Sequence, residues 1–203
     1  MTIKIVSVDS VMLYFEQIIS EEVLDQVQNA YSALKELEGV IDMTPSYSSI
    51  LIQYDLSLYD YRSIQKAITK QLSTYQNTTT IKQNKLITIP THYDEEFDLK
   101  RVAEFNHITT EEVIQLHTQT IYRVYAIGFM VGFAFLASVN EKIATPRLST
   151  PRAKVPKGSV AIADSQTAIY PQDSAGGWNI IGQTAFDDFD QFSVGDSVQF
   201  VRI

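Results

Sequence analysis

Residues 128–182 read GFMVGFAFLASVNEKIATPRLSTPRAKVPKGSVAIADSQTAIYPQDSAGGWNIIG. No helical period runs through this stretch. Short β-rich runs at 159–163, 167–170 and 178–183 alternate with Gly, Pro and Asp-Ser turns. Similar runs flank it at 123–127 and 197–203. Several short strands separated by turn residues predict a compact all-β barrel or sandwich.

Upstream the pattern changes. Residues 94–119 carry two short helical patterns, around 99–105 and 111–119. Thr109-Thr110-Glu111-Glu112 forms a capping box ahead of the second. At the N-terminus, 3–8 and 11–15 are β-rich and separated by the turn pair Asp9-Ser10. Ser20 precedes Glu21-Glu22 as an N-cap, and Val23, Val27, Ala30, Leu34 and Leu37 recur at helical spacing. Gly39 stands where a C-terminal helix glycine belongs. Val40-Ile41 and residues 47–54 read as strand. Ser57 or Asp60 can cap a second helix with Ile64, Ile68, Leu72 and Tyr75 on its inner face, ended by the polar residues 77–80. Residues 86–92 read as a further strand. The order β-β-α-β-α-β suggests a split βαβ, ferredoxin-like unit, or an α+β layer of another topology. The expected class is therefore α+β. A small α+β domain over 1–88 precedes a β-barrel domain with two leading helices over 89–203.

The 203 residues, 45% hydrophobic and 20% charged, suit one large globular domain or two small ones. A formal charge of −8 and a pI near 4.8 argue against nucleic acid or an anionic membrane as partner. With no cysteine there is no disulfide, thiolate metal site or thiol nucleophile. His92, His107 and His117 are not spaced as metal ligands, so no metal is expected. No apolar run approaches the roughly 20 residues of a membrane span, and no signal-peptide core is visible. A soluble cytoplasmic protein is expected.

The charge is uneven. Residues 142–157 hold five basic side chains (Lys142, Arg147, Arg152, Lys154, Lys157) and no acid. The rest of the chain has 11 basic against 24 acidic residues, a balance of −13. Thr145-Pro146-Arg147 recurs as Thr150-Pro151-Arg152, and proline enforces an ordered, non-helical loop. Such a loop can aim two guanidiniums at one carboxylate or phosphate; it can equally be a stiff surface loop. Gln166 and Tyr170 flank a short strand, and a Gln amide can both donate to and accept from another amide. Gly176-Gly177 allows close backbone approach ahead of Trp178, the only tryptophan. Gly-x-x-x-x-Gly-Lys-Ser/Thr is absent, so this is no P-loop. Ser159 lacks a nucleophile elbow. His117, on the inner face of a short helix, is either a core histidine or the one evident acid/base group.

Together these residues resemble a known family, that of the 5-oxoprolinase B subunit, also called allophanate hydrolase subunit 1 or Kip-type histidine-kinase inhibitor. The matching elements are His117 and Tyr122, Gly128-Phe129, Gly132-Phe133, Leu136, both Pro-Arg pairs, Val155-Pro156 and Gly158-Ser159-Val160. Gln166-Thr167, Tyr170-Pro171, Gly176-Gly177-Trp178, Ile181-Gly182 and Gly195-Asp196-x-Val198-x-Phe200 continue it. Val131, Phe135, Asp164, Ser165 and Ala175 depart from the pattern. The resemblance implies a small α/β N-terminal domain and a cyclophilin-like barrel. It implies a non-autonomous component, inactive alone, whose partners are a homologous C subunit and a third, A-type subunit. That complex uses ATP to open 5-oxo-L-proline to L-glutamate. In it Arg147 and Arg152 would hold a carboxylate or phosphate, with Tyr170 beside them. Gln166, Gly176 and Gly177 would address the lactam, and His117 would move protons. Inhibition of a sensor histidine kinase, or allophanate hydrolysis, is the alternative the resemblance offers.

Overall fold

The computed structural model describes residues 1–74 and 85–203. They form a mixed α+β fold of two compact units, one within Met1–Gln83 and one within Asn84–Ile203.

The first unit has strands β1 (Thr2–Ser7), β2 (Ser10–Tyr14), β3 (Val40–Pro45) and β4 (Ser49–Tyr54), with helices α1 (Glu21–Leu34) and α2 (Tyr61–Thr74). The antiparallel sheet runs β1-β2-β4-β3. Thus β4 lies between β2 and β3, which α1 connects. Ser20 caps α1 by accepting from the Val23 N–H at 3.3 Å. Asp60 accepts from the Ser63 N–H at 2.7 Å ahead of α2, while the Ser63 hydroxyl accepts from the Asp60 N–H at 2.9 Å. Val23, Val27, Ala30 and Leu34 of α1 and Ile64 and Ile68 of α2 bury against Val11, Leu13, Ile50, Ile52 and Tyr54 of the sheet. Each large aliphatic side chain so buried stabilises by about 1.5–3 kcal/mol. Tyr75 and the polar segment 77–80, placed by sequence at the end of α2, lie outside the described residues.

Two expectations change here. Gly39 does not end α1. The helix stops at Leu34 with Lys35 as its cap, and Gly39, at φ +84°, makes the turn into β3. The strand at 86–92 does not join this sheet. It is β5 (Leu86–Tyr93) of the second unit's barrel, paired in parallel with the last strand.

The second unit continues with α3 (Leu99–Phe105), α4 (Thr110–Gln119), β6 (Ile121–Ile127), β7 (Ala134–Ala137), β8 (Arg152–Val155), β9 (Ser159–Ala163) and β10 (Gln166–Ile169). β11 (Ser174–Gly176), β12 (Asn179–Gln183) and β13 (Ser197–Arg202) complete it. Seven strands close in the order β10-β7-β6-β13-β5-β12-β9, and β9 pairs back to β10. β8 and β11 form a separate two-stranded arm. Side chains alternate in direction along a strand, so this wall has two apolar layers. Val160, Ile162, Ile169 and Ile181 fill the interior with Ile89, Val124, Leu136, Val198 and Phe200. Ala161, Ala163, Ala168 and Ile180 face outward, to Phe133, Val155, Tyr170 and Trp178. The capping box of α4 forms as its sequence predicts: the Thr109 hydroxyl accepts from the Glu112 N–H at 3.2 Å, and the Glu112 carboxylate accepts from the Thr109 N–H at 2.8 Å.

Candidate functional site

The outer layer of the barrel wall carries the candidate site. Arg152 opens β8, and the β8–β11 arm sets it opposite Gly176. Gly176 lets the Tyr170 hydroxyl approach the backbone closely, since any Cβ there would force that side chain to shift. The Gly177 carbonyl accepts from the Leu148 N–H at 2.7 Å, and Pro151 packs across the glycine. These contacts fold both Pro-Arg loops onto Gly-Gly-Trp. The Arg147 guanidinium lies 5.8 Å from the Trp178 ring centroid, and that of Arg152 lies 5.9 Å from Phe97. Phe133 meets Tyr170, Trp178 and Phe135 edge-on at 5.3, 5.7 and 4.8 Å. Burial raises the Tyr170 phenol pKa, while a hydrogen bond from the Trp178 backbone and the charges of Arg147 and Arg152 act against that rise.

Both arginines meet carboxylates. Arg152 Nη2 donates to Asp98 Oδ1 at 2.8 Å. Asp98 Oδ2 accepts from the Ile180 N–H at 2.8 Å, and the Asp98 N–H donates to the Ile180 carbonyl at 2.8 Å. Asp98 is thus buried and sewn to β12, while Arg152 keeps 28% of its side chain exposed. Its Nη1 is buried with no partner. Arg147 Nε lies a looser 3.8 Å from Asp164 Oδ2, with both groups exposed. Asn179 anchors the first loop: its Nδ2 donates to the Ile162 and Pro146 carbonyls at 2.9 and 3.0 Å, and its Oδ1 accepts from Arg101.

Aromatic walls with directional guanidinium donors can seat a small, flat molecule bearing an acid or carbonyl. Among the described residues no group of three His, Cys, Asp or Glu could hold a metal ion.

Residues 1–197 match the family described as "Carboxyltransferase domain, subdomain C and D". The chain belongs to this carboxyltransferase family. It is 34% identical over 215 residues to a protein from Bacillus subtilis (strain 168) named as the B subunit of 5-oxoprolinase, covering 96% of this chain and 89% of that one. A protein of the same name from Haemophilus influenzae is 44% identical over 128 residues, 59% of this chain and 60% of the other. The solved structure of TTHA0988 in space group P212121 superposes with a TM-score of 0.83 at 32% identity. It matches 97% of this chain, which spans only 40% of that longer one.

In this carboxyltransferase-family chain the residues singled out by sequence separate. Arg147, Arg152, Tyr170, Gly176 and Gly177 converge around Trp178. Gln166 starts β10, beside the Asp164-Ser165 turn that Arg147 approaches, and lies about 13 Å of strand from Tyr170. His117 goes elsewhere. It is fully buried at the barrel interior, with Nδ1 2.7 Å from the Tyr93 hydroxyl and Nε2 2.9 Å from Thr167 Oγ1. Thr167 gives its own proton to the Ala161 carbonyl at 3.1 Å, so Nε2–H donates to it and Nδ1 accepts from Tyr93. Burial lowers the imidazole pKa to about 3, and Phe200 packs on it at 4.5 Å. The ring is neutral and enclosed in the barrel interior, held by Tyr93 and Thr167, whereas Trp178 and the arginines lie on the outer layer of the wall.

The basic island also divides. Lys154 pairs with Asp173 at 2.8 Å, and Lys157 lies over Phe189 at 5.9 Å. The family departures Phe135 and Ala175 flank the site, and Val131 is 85% exposed on the β6–β7 loop. Sequence reading missed Asp98, Phe97 and Asn179. An Asp just before a helix reads as an N-cap, but the Asp98 side chain makes no cap bond and turns to Arg152 instead.

Proposed function

We propose that this chain is the B subunit of an ATP-dependent 5-oxoprolinase, a complex that hydrolyses 5-oxo-L-proline to L-glutamate. The observation that carries this reading is the 34% identity, over nearly the whole of both chains, to a protein named as that B subunit. In the net reaction the lactam C–N bond breaks. Water supplies hydroxyl to the carbonyl carbon and a proton to nitrogen, coupled to cleavage of ATP. An amide is resonance-stabilised, which is why the complex needs ATP to activate it.

The part we assign to this chain is binding and orientation. Arg147 and Arg152 hold the substrate carboxylate, and Trp178, Phe133 and Tyr170 bound the ring. Gly176-Gly177 lets backbone approach the lactam, and Gln166 contributes from the Arg147 end of the wall. The residues fit a nucleotide poorly: each arginine already has a carboxylate beside it, and no P-loop lysine exists. ATP would therefore be handled elsewhere in the complex, which also holds the A and C subunits, in the cytoplasm. On this reading the first unit is a ferredoxin-like variant in which the edge strand β1 precedes the split βαβ. The second is a cyclophilin-like barrel, and the domain boundary falls between α2 and β5.

The test is reconstitution with the A and C subunits and measurement of ATP- and 5-oxo-L-proline-dependent glutamate release. The expected result is release only when this chain is present, with kcat/KM lowered more than tenfold by Arg152→Ala. Equal release without the chain, or none from an assembled complex, overturns the proposal.

A further inference from the structure

We infer that the arginine site accepts a monoanionic carboxylate and rejects phosphate, with Asp98 as the residue that sets this selectivity. The identity of the carboxylate rests on the 5-oxoprolinase reading; the charge selectivity does not.

Two guanidiniums suggest a strongly cationic site, yet the structure cancels most of that charge. Arg152 contacts the Asp98 carboxylate at 2.8 Å. A phosphate cannot readily displace this acid, because its second oxygen is held by the Ile180 N–H and it is 95% buried. A buried carboxylate stripped of its cation is costly. Arg147 has Asp164 nearby at 3.8 Å. Of the other cations of the basic island, Lys154 is bound to Asp173 and Lys157 lies over Phe189.

A ligand at Arg152 therefore meets directional donors whose positive charge is offset by the buried Asp98 carboxylate. A phosphate carries about −1.5 to −2 at neutral pH and would sit beside the fixed Asp98 charge in a partly desolvated site. A carboxylate carries roughly half that charge. The walls point the same way. Phe97, Phe133, Phe135, Met130 and Trp178 form an apolar cluster beside the guanidiniums, a surface that favours an acid with a hydrocarbon ring over a bare phosphate. The net effect of Asp98 is to orient Arg152 while removing the attraction that would draw polyanions.

Trp178 is the only tryptophan and lies in the site, so its fluorescence reports occupancy. The full-length chain, alone and in the assembled complex, is titrated with 5-oxo-L-proline, N-acetylglycine, inorganic phosphate and magnesium-free ATP. The expected result is saturable binding of a carboxylate, at least tenfold tighter than phosphate or ATP. Asp98→Asn should shrink that ratio at least tenfold. Should Asp98→Asn fail to fold, Asp164→Asn on the exposed turn should shrink it about threefold. Phosphate or ATP binding as tightly as the carboxylates, no anion binding at all, or an unchanged ratio in a folded variant overturns the inference. Binding of N-acetylglycine without 5-oxo-L-proline supports the charge selectivity and counts against the proposed substrate.

Discussion

The Tyr93 hydroxyl donates to His117 Nδ1 at 2.7 Å inside the barrel, tying strand β5 to helix α4. Burial lowers the histidine pKa to about 3 and raises that of the Tyr93 phenol. The histidine is thus neutral when folded but binds a proton below about pH 6.5 when unfolded. Its contribution to stability is complete above pH 6.5 and is lost as pH falls toward 3, at up to about 1.4 kcal/mol per pH unit. Urea midpoints measured from pH 7 to 4 should fall steeply for the native chain. His117→Gln should be less stable at pH 7 and should lose much of that slope. A slope unchanged by the substitution would show that the buried ring does not set it.

Asn179 supports the loop that carries Arg147. Asn179→Ala removes the donor to the Ile162 and Pro146 carbonyls and the acceptor of Arg101, leaving Arg101 only its longer bond to the Pro146 carbonyl at 3.4 Å. An unsatisfied buried group costs about 1–3 kcal/mol, so the variant should lose stability in that range. Limited proteolysis should then cut first within 144–152. Equal cleavage of both proteins there would argue that the loop is held by other contacts.

Gly158 makes the turn between β8 and β9 at φ +81°, with the Thr184 carbonyl oxygen 2.3 Å from where a Cβ would stand. A side chain meets both left-handed backbone strain and a clash with main chain that cannot swing away. Gly158→Ala should cost about 2 kcal/mol or more, read as a fall in melting temperature. A shift of less than a degree would contradict this geometry.

Phe129 is 67% exposed and also has positive φ, +71°. Asparagine tolerates that conformation better. Phe129→Asn should therefore leave stability unchanged or raise it by up to about 1 kcal/mol in denaturant titrations, despite losing the edge contact to Phe133. A loss above 1 kcal/mol would mean that this contact outweighs the backbone strain.

The elements with local signals were legible in the sequence. Ser20 and the 3.6-residue spacing of Val23 to Leu34 define α1, and the capping box defines α4. Ser159–Ala163 matches its expected strand residue for residue. Pairing between distant residues was not legible. Residues 86–92 are recognisable as strand, but nothing local says that their neighbour is β13, more than a hundred residues away. The short strands β7, β8 and β11 also escaped notice; they are three or four residues long and depend on their partners for regularity. The two Pro-Arg pairs and Gly-Gly were legible as a candidate site because proline and glycine constrain backbone directly. Asp98 did not, since its role depends on Ile180 and Arg152. His117 was correctly placed on an inner face, but its enclosure by Tyr93, Thr167 and Phe200 follows only from barrel closure.

The parallel contact of β5 with β13 has a consequence during synthesis. On the ribosome, β5 emerges early and waits for residues 197–202 before its neighbour exists. Until then β5 and β6 each present an open edge, the kind of surface that recruits other chains. The first unit draws its sheet pairs and core from its own residues and can fold during that interval. Newly made protein should therefore pass through a stage with a finished N-terminal unit and an unsealed barrel, when chaperone demand and aggregation risk are greatest.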